Sequence, residues 1–386
     1  MKYDVAIIGA GPAGSYCAKK LAEKGLKVLI LDKRKFPRDK ICGGLISSKA
    51  LNLLQDDYSN DYLYNIESNP VYKITLTCGP HDILLKKNHI LGIIVSRKQF
   101  DEAIINMAVN KGARFIDSCE YRFHMDLKSC YEIHTTKGTF FSDYLIGADG
   151  VYSKVARISN LRQRFSKWEM GFAVSCKIPK ELIVEKGGAE FIFLKILGGM
   201  GWSFSGEDFV NLGVGGYAPD SKNILQAAKK LVIDRLKYKN TPFKLQAFFL
   251  PAGGRRRQIA KERIFLVGDA AGFVDAFSGE GIFYALKSGK IASEIIAQNQ
   301  SGKQYETKCY NIFLNEFRFS ALMSVLLGDR NKICHKGVNK IFLEAFYKIL
   351  TTPPEEGCYK KFIYSVVRHG LTPIFPYLWI QSLIFA

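Results

Sequence analysis

A short apolar strand running straight into Gly9-Ala10-Gly11-Pro12-Ala13-Gly14, two later apolar runs ending in glycine and aspartate, and β-rich runs between them predict an α/β chain. Its parts are a Rossmann-like unit, an antiparallel β-sheet domain and a C-terminal helical extension. The chain has 386 residues, 47% of them hydrophobic and 24% charged, enough for two or three domains with real cores. That composition excludes disorder, collagen and a small disulfide scaffold.

Tyr3 to Ile8 has the apolar, β-leaning character of a parallel strand buried on both faces. The glycine turn comes at once. A helix is predicted from Pro12 to Lys24, stopped by Gly25, and a second strand from Lys27 to Leu31, ending in Asp32. This βαβ setting gives the G-x-G-x-x-G spacing its meaning. Gly9 permits the tight turn, Gly11 lets backbone approach a pyrophosphate, and Gly14 lets helix and strand pack closely. Pro12 and Ala13 open the helix whose free N–H groups face the phosphates. Asp32, 18 residues beyond Gly14, is placed to accept a ribose hydroxyl. The motif alone does not separate NAD from FAD.

Leu145 to Gly150 closes another apolar strand and carries Asp149; Ile264 to Gly272 closes a third and carries Gly268 and Asp269. Glycines at a strand end allow an extended cofactor close, and a carboxylate there can accept from its hydroxyls. A helix from Gly281 to Ile296 comes next, its N-terminus offering positive potential.

In order, GAGPAG, LIGADGVYSKVAR and RIFLVGDAAGFVDAFSGEGI resemble the FAD-dependent oxidoreductases of the p-hydroxybenzoate hydroxylase-like fold, over residues 1 to about 300. Within them, PRDKICGGLISSKAL (Pro37 to Leu51) and SRKQFDEAIINMAVNKGARF are most similar to the geranylgeranyl reductase group, which saturates double bonds in isoprenoid chains. The resemblance implies FAD, with Asp269 at the ribityl region, Arg97 supporting the cofactor, and Asp149 with Gly150 beside its path. It adds Lys33, Cys42, Gly43, Gly268, Gly279, Gly281 and Ile282 to the cofactor-binding set. Three positions depart from the group's pattern. Leu45 and Ser48 stand where a glycine and a proline are common, Met200-Gly201-Trp202-Ser203-Phe204-Ser205 matches the aromatic signature only at Trp and Phe, and Ala276 replaces a proline.

Reduction of an isolated alkene needs hydride and proton in close order, inside a dry apolar cavity. Cys42 is the candidate acid or active-site modulator, because an ordinary thiol is mostly protonated at neutral pH. Trp202 and Phe204 are candidates to line the cavity and face developing positive charge. Each also has a purely structural reading: Cys42 as a small buried hydrophobe, Trp202 and Phe204 as one face of a strand.

The motifs place the FAD-binding domain at residues 1–60, 96–162 and 254–300. Residues 61–95 and 163–253 form the substrate-binding sheet, and 301–386 the helical extension. A helix over 224–238 would set Leu225, Ala228, Leu231, Val232 and Leu236 near one face. The formal charge of +19 is spread along the chain, and its densest cluster, Arg255 to Arg257 with Lys261 and Arg263, lacks the interleaved aromatics of a nucleic-acid platform. That cluster reads as a solvated or phosphate-facing turn, and no nucleic-acid partner is expected. Nine cysteines without a C-x-x-C pair fit a reducing compartment, and six histidines without ligand spacing predict no metal site.

No secretory signal or spanning helix is expected. The expectation is a cytoplasmic enzyme, with the apolar run Leu371 to Ala386 behind Lys360, Lys361 and Arg368 offering a peripheral contact at the inner face of the membrane, or simply packing on the sheet. The leading function is FAD-dependent reduction of isoprenoid double bonds in a lipid or quinone. The alternatives are a single-component flavin monooxygenase acting on an apolar or aromatic substrate and a non-catalytic flavin-binding, membrane-associated protein. A single dinucleotide fingerprint leaves the electron source open between NAD(P)H and a reduced carrier, including an electron-donor protein.

Overall fold

The computed structural model describes residues 2–55, 66–326, 336–359 and 361. The first sheet has the order β17-β18-β11-β1-β2-β8: Ala260–Lys261, Ile264–Leu266, Gly138–Gly147, Lys2–Ile8, Val28–Leu31 and Arg114–Ile116. All neighbours are parallel except the β17-β18 pair, and a hairpin of β9 (Tyr121–Asp126) and β10 (Tyr131–Thr135) hangs from β11. Register aligns the strand ends. Ile8 pairs with both Leu31 and Gly147, and Gly147 pairs with Leu266, so four strands end in one row.

Helix α1 (Pro12–Ala22) packs between α3 (Arg97–Asn110) and α6 (Ile282–Ala297) on this sheet. The contact with α6 is tight: a Cβ at Gly289 would lie 2.6 Å from the Ala13 carbonyl oxygen. Both expected helices form with ends shifted by one or two residues, and the second strand starts at Val28, one residue later than expected.

The second sheet runs β16-β12-β15-β14-β13-β5-β6: Gln246–Pro251, Met170–Pro179, Phe209–Tyr217, Met200–Ser205, Ala189–Phe193, Lys73–Cys78 and His81–Lys86. It is antiparallel apart from the β13-β5 pair, where strands from distant segments meet side by side in parallel. The expectation that 61–95 joins this sheet as a whole is corrected. Only β5 and β6 do; β4 (Ser68–Val71) and β7 (Gly92–Val95) form a separate three-stranded sheet with β3 (Leu45–Ser47). Pro70 lacks a ladder N–H, which suits the edge position of β4.

Helix α5 (Ser221–Arg235) buries Ile224, Ala228 and Val232, a stripe with a spacing of four, and leaves Leu225 41% exposed. Leu225 was expected on the core face; the stripe runs one residue earlier. The short α2 (Ser48–Gln55) and α4 (Lys154–Ile158) sit near the row of strand ends, and α7 (Gly302–Leu326) and α8 (Lys336–Thr351) form the C-terminal part. A second core joins α8 to the large sheet, with Phe191 packed edge-on against Phe204 and Phe346, their ring centres 5.2 and 4.8 Å away.

Seven described cysteines are free thiols, in keeping with the reducing compartment expected, but Cys78 is disulfide-bonded, which that expectation did not include. Arg255 and Arg257 both pair with Glu169, at 3.1 and 2.8 Å, and the Arg255 side chain stays largely exposed. No helix among the described residues is long and apolar enough to cross a membrane. The terminal run Leu371 to Ala386 lies outside the described residues.

Replacing Gly289 with Ala forces a methyl against the α1 backbone. Overpacking of this kind costs about 1–3 kcal/mol, so thermal unfolding of Gly289→Ala should show a clearly lower midpoint than the parent protein.

Candidate active site

Each loop that leaves the row of strand ends brings one part of a binding surface. Gly9 has φ +108°, and a Cβ there would lie 2.3 Å from the Ala148 carbonyl oxygen, so only glycine lets the first turn meet the end of β11. At Gly14 a Cβ would lie 2.0 Å from the Gly9 oxygen. Gly11 differs: nothing is closer to its added Cβ than an Arg38 nitrogen at 3.7 Å. It faces open space at the start of α1, where no side chain caps the helix, no acid lies in the first turn, and Pro12 occupies the first position. The amides of Ala13 and Gly14 thus open a helix with nothing anionic against them, a fit for phosphate.

Asp32, buried at the end of β2, accepts from the Ala10 and Arg34 amides, each at 2.8 Å, and its oxygens keep lone pairs for a hydroxyl. Lys33 beside it is exposed. Asp149 is engaged differently. It accepts from the Ser153 hydroxyl and from the Lys154 and Val155 amides, at 2.7 and 3.2 Å for the amides, so its carboxylate closes the N-terminus of α4.

Asp269 comes after β18, where Gly268 has φ +57° and packs close to Ala13 and Ala285. Among the described residues its carboxylate has no hydrogen-bond partner, and it lies 3.5 Å from a Cβ placed on Gly281. Burial pushes the Asp269 carboxyl above its ordinary range against the pull of Lys40 and Arg97. Gly279, at φ +72°, has nothing within 4 Å of its added Cβ, and Gly281 starts α6 without a side-chain cap. An unpartnered, half-buried carboxylate beside a bare helix start and an open glycine fits a polyol chain leading to a ring that accumulates negative charge. The residues present therefore suit FAD.

Beyond this surface lies a cavity of about 190 Å³. Its walls come from the Cys42-Gly43-Gly44 turn, from the large sheet, from residues 276–282 including Ile282, and from Leu350 of α8. Trp202 and Phe204 both line it and stack at 27°, while Phe204 also serves the core, so cavity wall and sheet face are one surface here. A Cβ on Gly43 would meet Phe204 at 2.9 Å, and Gly44, at φ +88°, packs its Cα against the Val95 carbonyl. The turn is also pinned by Asn211, a residue that no sequence motif marks. Asn211, 1% exposed, donates to the Cys42 carbonyl at 2.9 Å and accepts from the Trp202 indole at 2.8 Å.

Arg97 sits behind the turn. It is 7% exposed, binds Asp101 through two hydrogen bonds of 2.8 and 3.0 Å, and reaches the Cys42 side chain. Burial opposes its charge, but Asp101 and then the Cys42 sulfur outweigh this and hold the guanidinium above its usual range. Arg97 thus supports the site through Cys42 and Asp101. Ser47, Lys49 and Glu280 also belong to the site without having been expected there, although the ICGGLISSKAL and SGEGI segments contain all three.

Asp269→Ala should leave the fold intact while FAD retention falls by about tenfold or more, the weight of one charge-assisted hydrogen bond of roughly 1.5–3 kcal/mol. Flavin absorbance of the purified variant, with a circular dichroism spectrum as control, measures this.

The FAD binding domain family matches residues 2–175. An uncharacterized protein of Methanosarcina barkeri is 36% identical over 305 residues, covering 77% of this chain and 75% of its own. A digeranylgeranylglycerophospholipid reductase of Methanococcus vannielii is 25% identical over 350 residues, 84% of this chain and 87% of its own. The crystal structure of a geranylgeranyl bacteriochlorophyll reductase-like protein from Thermoplasma acidophilum has a TM-score of 0.78 at 19% identity, covering 100% of this chain and 99% of that one. With the nucleotide turn, the unpartnered Asp269 and the Cys-Gly-Gly cavity in place, the chain belongs to the geranylgeranyl reductase family of FAD-dependent oxidoreductases.

Proposed function

We propose that this oxidoreductase saturates carbon–carbon double bonds in an isoprenoid chain carried by a lipid or quinone. The observation that carries the reading is the cavity, walled mainly by glycine, aromatic and aliphatic side chains and sited against the start of α6. An unbranched polar substrate would leave its hydrogen-bonding groups unmatched there, whereas a prenyl chain would not. The name of the Methanococcus vannielii relative supports the same substrate class.

In this reading Gly11, Pro12, Ala13 and Gly14 hold the pyrophosphate, Asp32 the ribose with Lys33 alongside, and Gly268 with Asp269 the ribityl chain. Gly9 shapes the turn, Gly279, Gly281 and Ile282 flank the ring, and Asp149 with Gly150 sets the neighbouring loop. Bound FAD supplies two electrons as hydride. Cys42 and Gly43 form the turn against which the substrate rests, while Trp202 and Phe204 exclude water and offer ring faces to positive charge developing on the alkene. Arg97, the polar neighbour of the Cys42 thiol, has donors and no acceptor. It cannot hand the sulfur a fresh proton, so Cys42 acts as a modulator of the site more than as its acid.

The chain is read as a cofactor domain of residues 1–60, 96–162 and 254–300, a substrate domain built on the large sheet, and a C-terminal extension. NAD(P)H or a reduced carrier delivers the electrons. Peripheral contact with a cytoplasmic membrane face brings the enzyme to a substrate dissolved in lipid.

Anaerobically reduced protein mixed with a prenyl lipid should be reoxidised, and the lipid should gain two mass units per bond reduced. An oxygen-dependent gain of sixteen units would identify a monooxygenase instead. Cys42→Ser should keep FAD bound and slow this reoxidation; a wild-type rate in that variant would confine Cys42 to packing.

A further inference from the structure

Among the described residues lining the cavity, three carry an acidic proton: Cys42, Tyr217 and Glu280. The Cys42 thiol faces Arg97, and the Tyr217 hydroxyl is tied to Ser324 at 3.0 Å and held above its usual range by burial. Glu280 is the one carboxyl. It occupies the turn that opens α6, with its side chain only 11% exposed.

Its surroundings are specific. One oxygen lies 2.7 Å from the Lys49 ammonium, and the other accepts from the Ser47 hydroxyl, which also lines the cavity. Lys49 is 2% exposed, donates to the Ile349 carbonyl at 2.7 Å, and lies over the rings of Phe283 and Tyr284 at 5.1 and 5.5 Å. A buried ammonium–carboxyl contact is weak evidence for stability, since apolar replacements commonly hold a fold as well. Such a contact on the wall of a dry cavity points to a chemical role.

We propose that Glu280 is the acid that protonates the substrate alkene, with Ser47 as the hydroxyl relaying the proton to the cavity and Lys49 as the cation stabilising the carboxylate left behind. The inference rests on the reductase reading above. The balance is complete: the π bond breaks, one carbon takes hydride from the reduced cofactor, its neighbour takes the Glu280 proton, and two C–H bonds form. For the relay the Ser47 hydroxyl rotates from donating to the carboxylate, as it does here, to accepting from the protonated Glu280, and gives its own proton to the alkene carbon. The carboxylate regains its proton from water once product leaves, and an external two-electron donor of the nicotinamide or reduced-carrier class restores the cofactor.

Burial pushes the Glu280 carboxyl above its ordinary range, with Asp275 adding to it, while Lys49 and Ser47 pull the other way. Tyr217, Tyr284, Glu316, Cys358 and Tyr359 are further titratable groups about Lys49, Glu280 and Asp275, with Tyr359 donating to both Asp275 oxygens at 2.9 Å. The sign is that of a donor: a raised value favours the protonated, active form, which is lost as pH rises through it.

The test uses the full-length flavoprotein, reduced anaerobically with dithionite and mixed with a digeranylgeranylglycerol phospholipid in detergent. Wild type should reoxidise with two solvent deuteriums incorporated per bond in heavy water, because dithionite supplies electrons alone and both added hydrogens come from solvent, and its rate should fall on the alkaline side. Glu280→Gln should retain its flavin absorbance, lose the infrared carbonyl stretch of a buried neutral carboxyl, slow reoxidation by about 100-fold or more, and lose the alkaline limb. Glu280→Asp should recover part of the rate. A wild-type rate in Glu280→Gln, or an alkaline limb unchanged in it, overturns the assignment. Should Glu280→Gln fail to hold FAD, Ser47→Ala keeps the Lys49–Glu280 contact and decides the matter: a solvent isotope effect and pH profile both unchanged overturn the relay. A wild-type protein that no prenyl chain reoxidises defeats the reductase reading itself, an outcome distinct from any variant result.

Discussion

Four parallel strand ends held in one register are the constraint on which the rest depends. Pairing of Ile8 with Leu31 and Gly147, and of Gly147 with Leu266, forces the next residues of each strand onto one edge. Gly9, Asp32, Ala148 and Gly268 are far apart in the chain and become neighbours through backbone hydrogen bonding alone. A slip of one residue in any of the four would turn its loop to the other face. The sterics confirm how closely the edge is packed, since no side chain fits at Gly9 or Gly14.

A second layer of constraint joins this edge to the large sheet. The Cys42-Gly43-Gly44 turn belongs in sequence to the nucleotide-binding part, yet its position is fixed by Asn211 of β15, Trp202 and Phe204 of β14, and Val95 of β7. Each buried hydrogen bond is worth only about 1 kcal/mol net, but leaving one partner unmatched costs about 1–3 kcal/mol. The bridge therefore locates the turn more than it stabilises the fold. A cofactor edge and an apolar wall are brought to the same cavity by one amide side chain.

The edge was legible because its signals are local. G-x-G-x-x-G, the strand before it and the helix after it lie within about two dozen residues, and glycine at a positive φ leaves a mark that needs no partner to interpret. Asp269 was legible through the surrounding Gly-Asp-Ala-Ala-Gly. The Asn211 bridge was not, because an asparagine in an alternating strand looks like any polar residue until its contact with Cys42, 169 residues away, is known. Lys49 and Glu280 were hidden for the same reason: each carries an ordinary surface charge, and only the fold removes both from water. The separate β3-β7-β4 sheet escaped notice because pairing among short strands depends on tertiary contacts, with Pro70 the lone local hint of an edge.

The hydrogen bond from Lys49 to the Ile349 carbonyl ties the far end of the chain to the interior of its first fifty residues. Helix α8 is thereby a ligand for an ammonium group that has no water to turn to. The polarity of this corner of the cavity is thus set jointly by a side chain near residue 50 and a backbone oxygen some 300 residues further along, so neither segment defines it without the other.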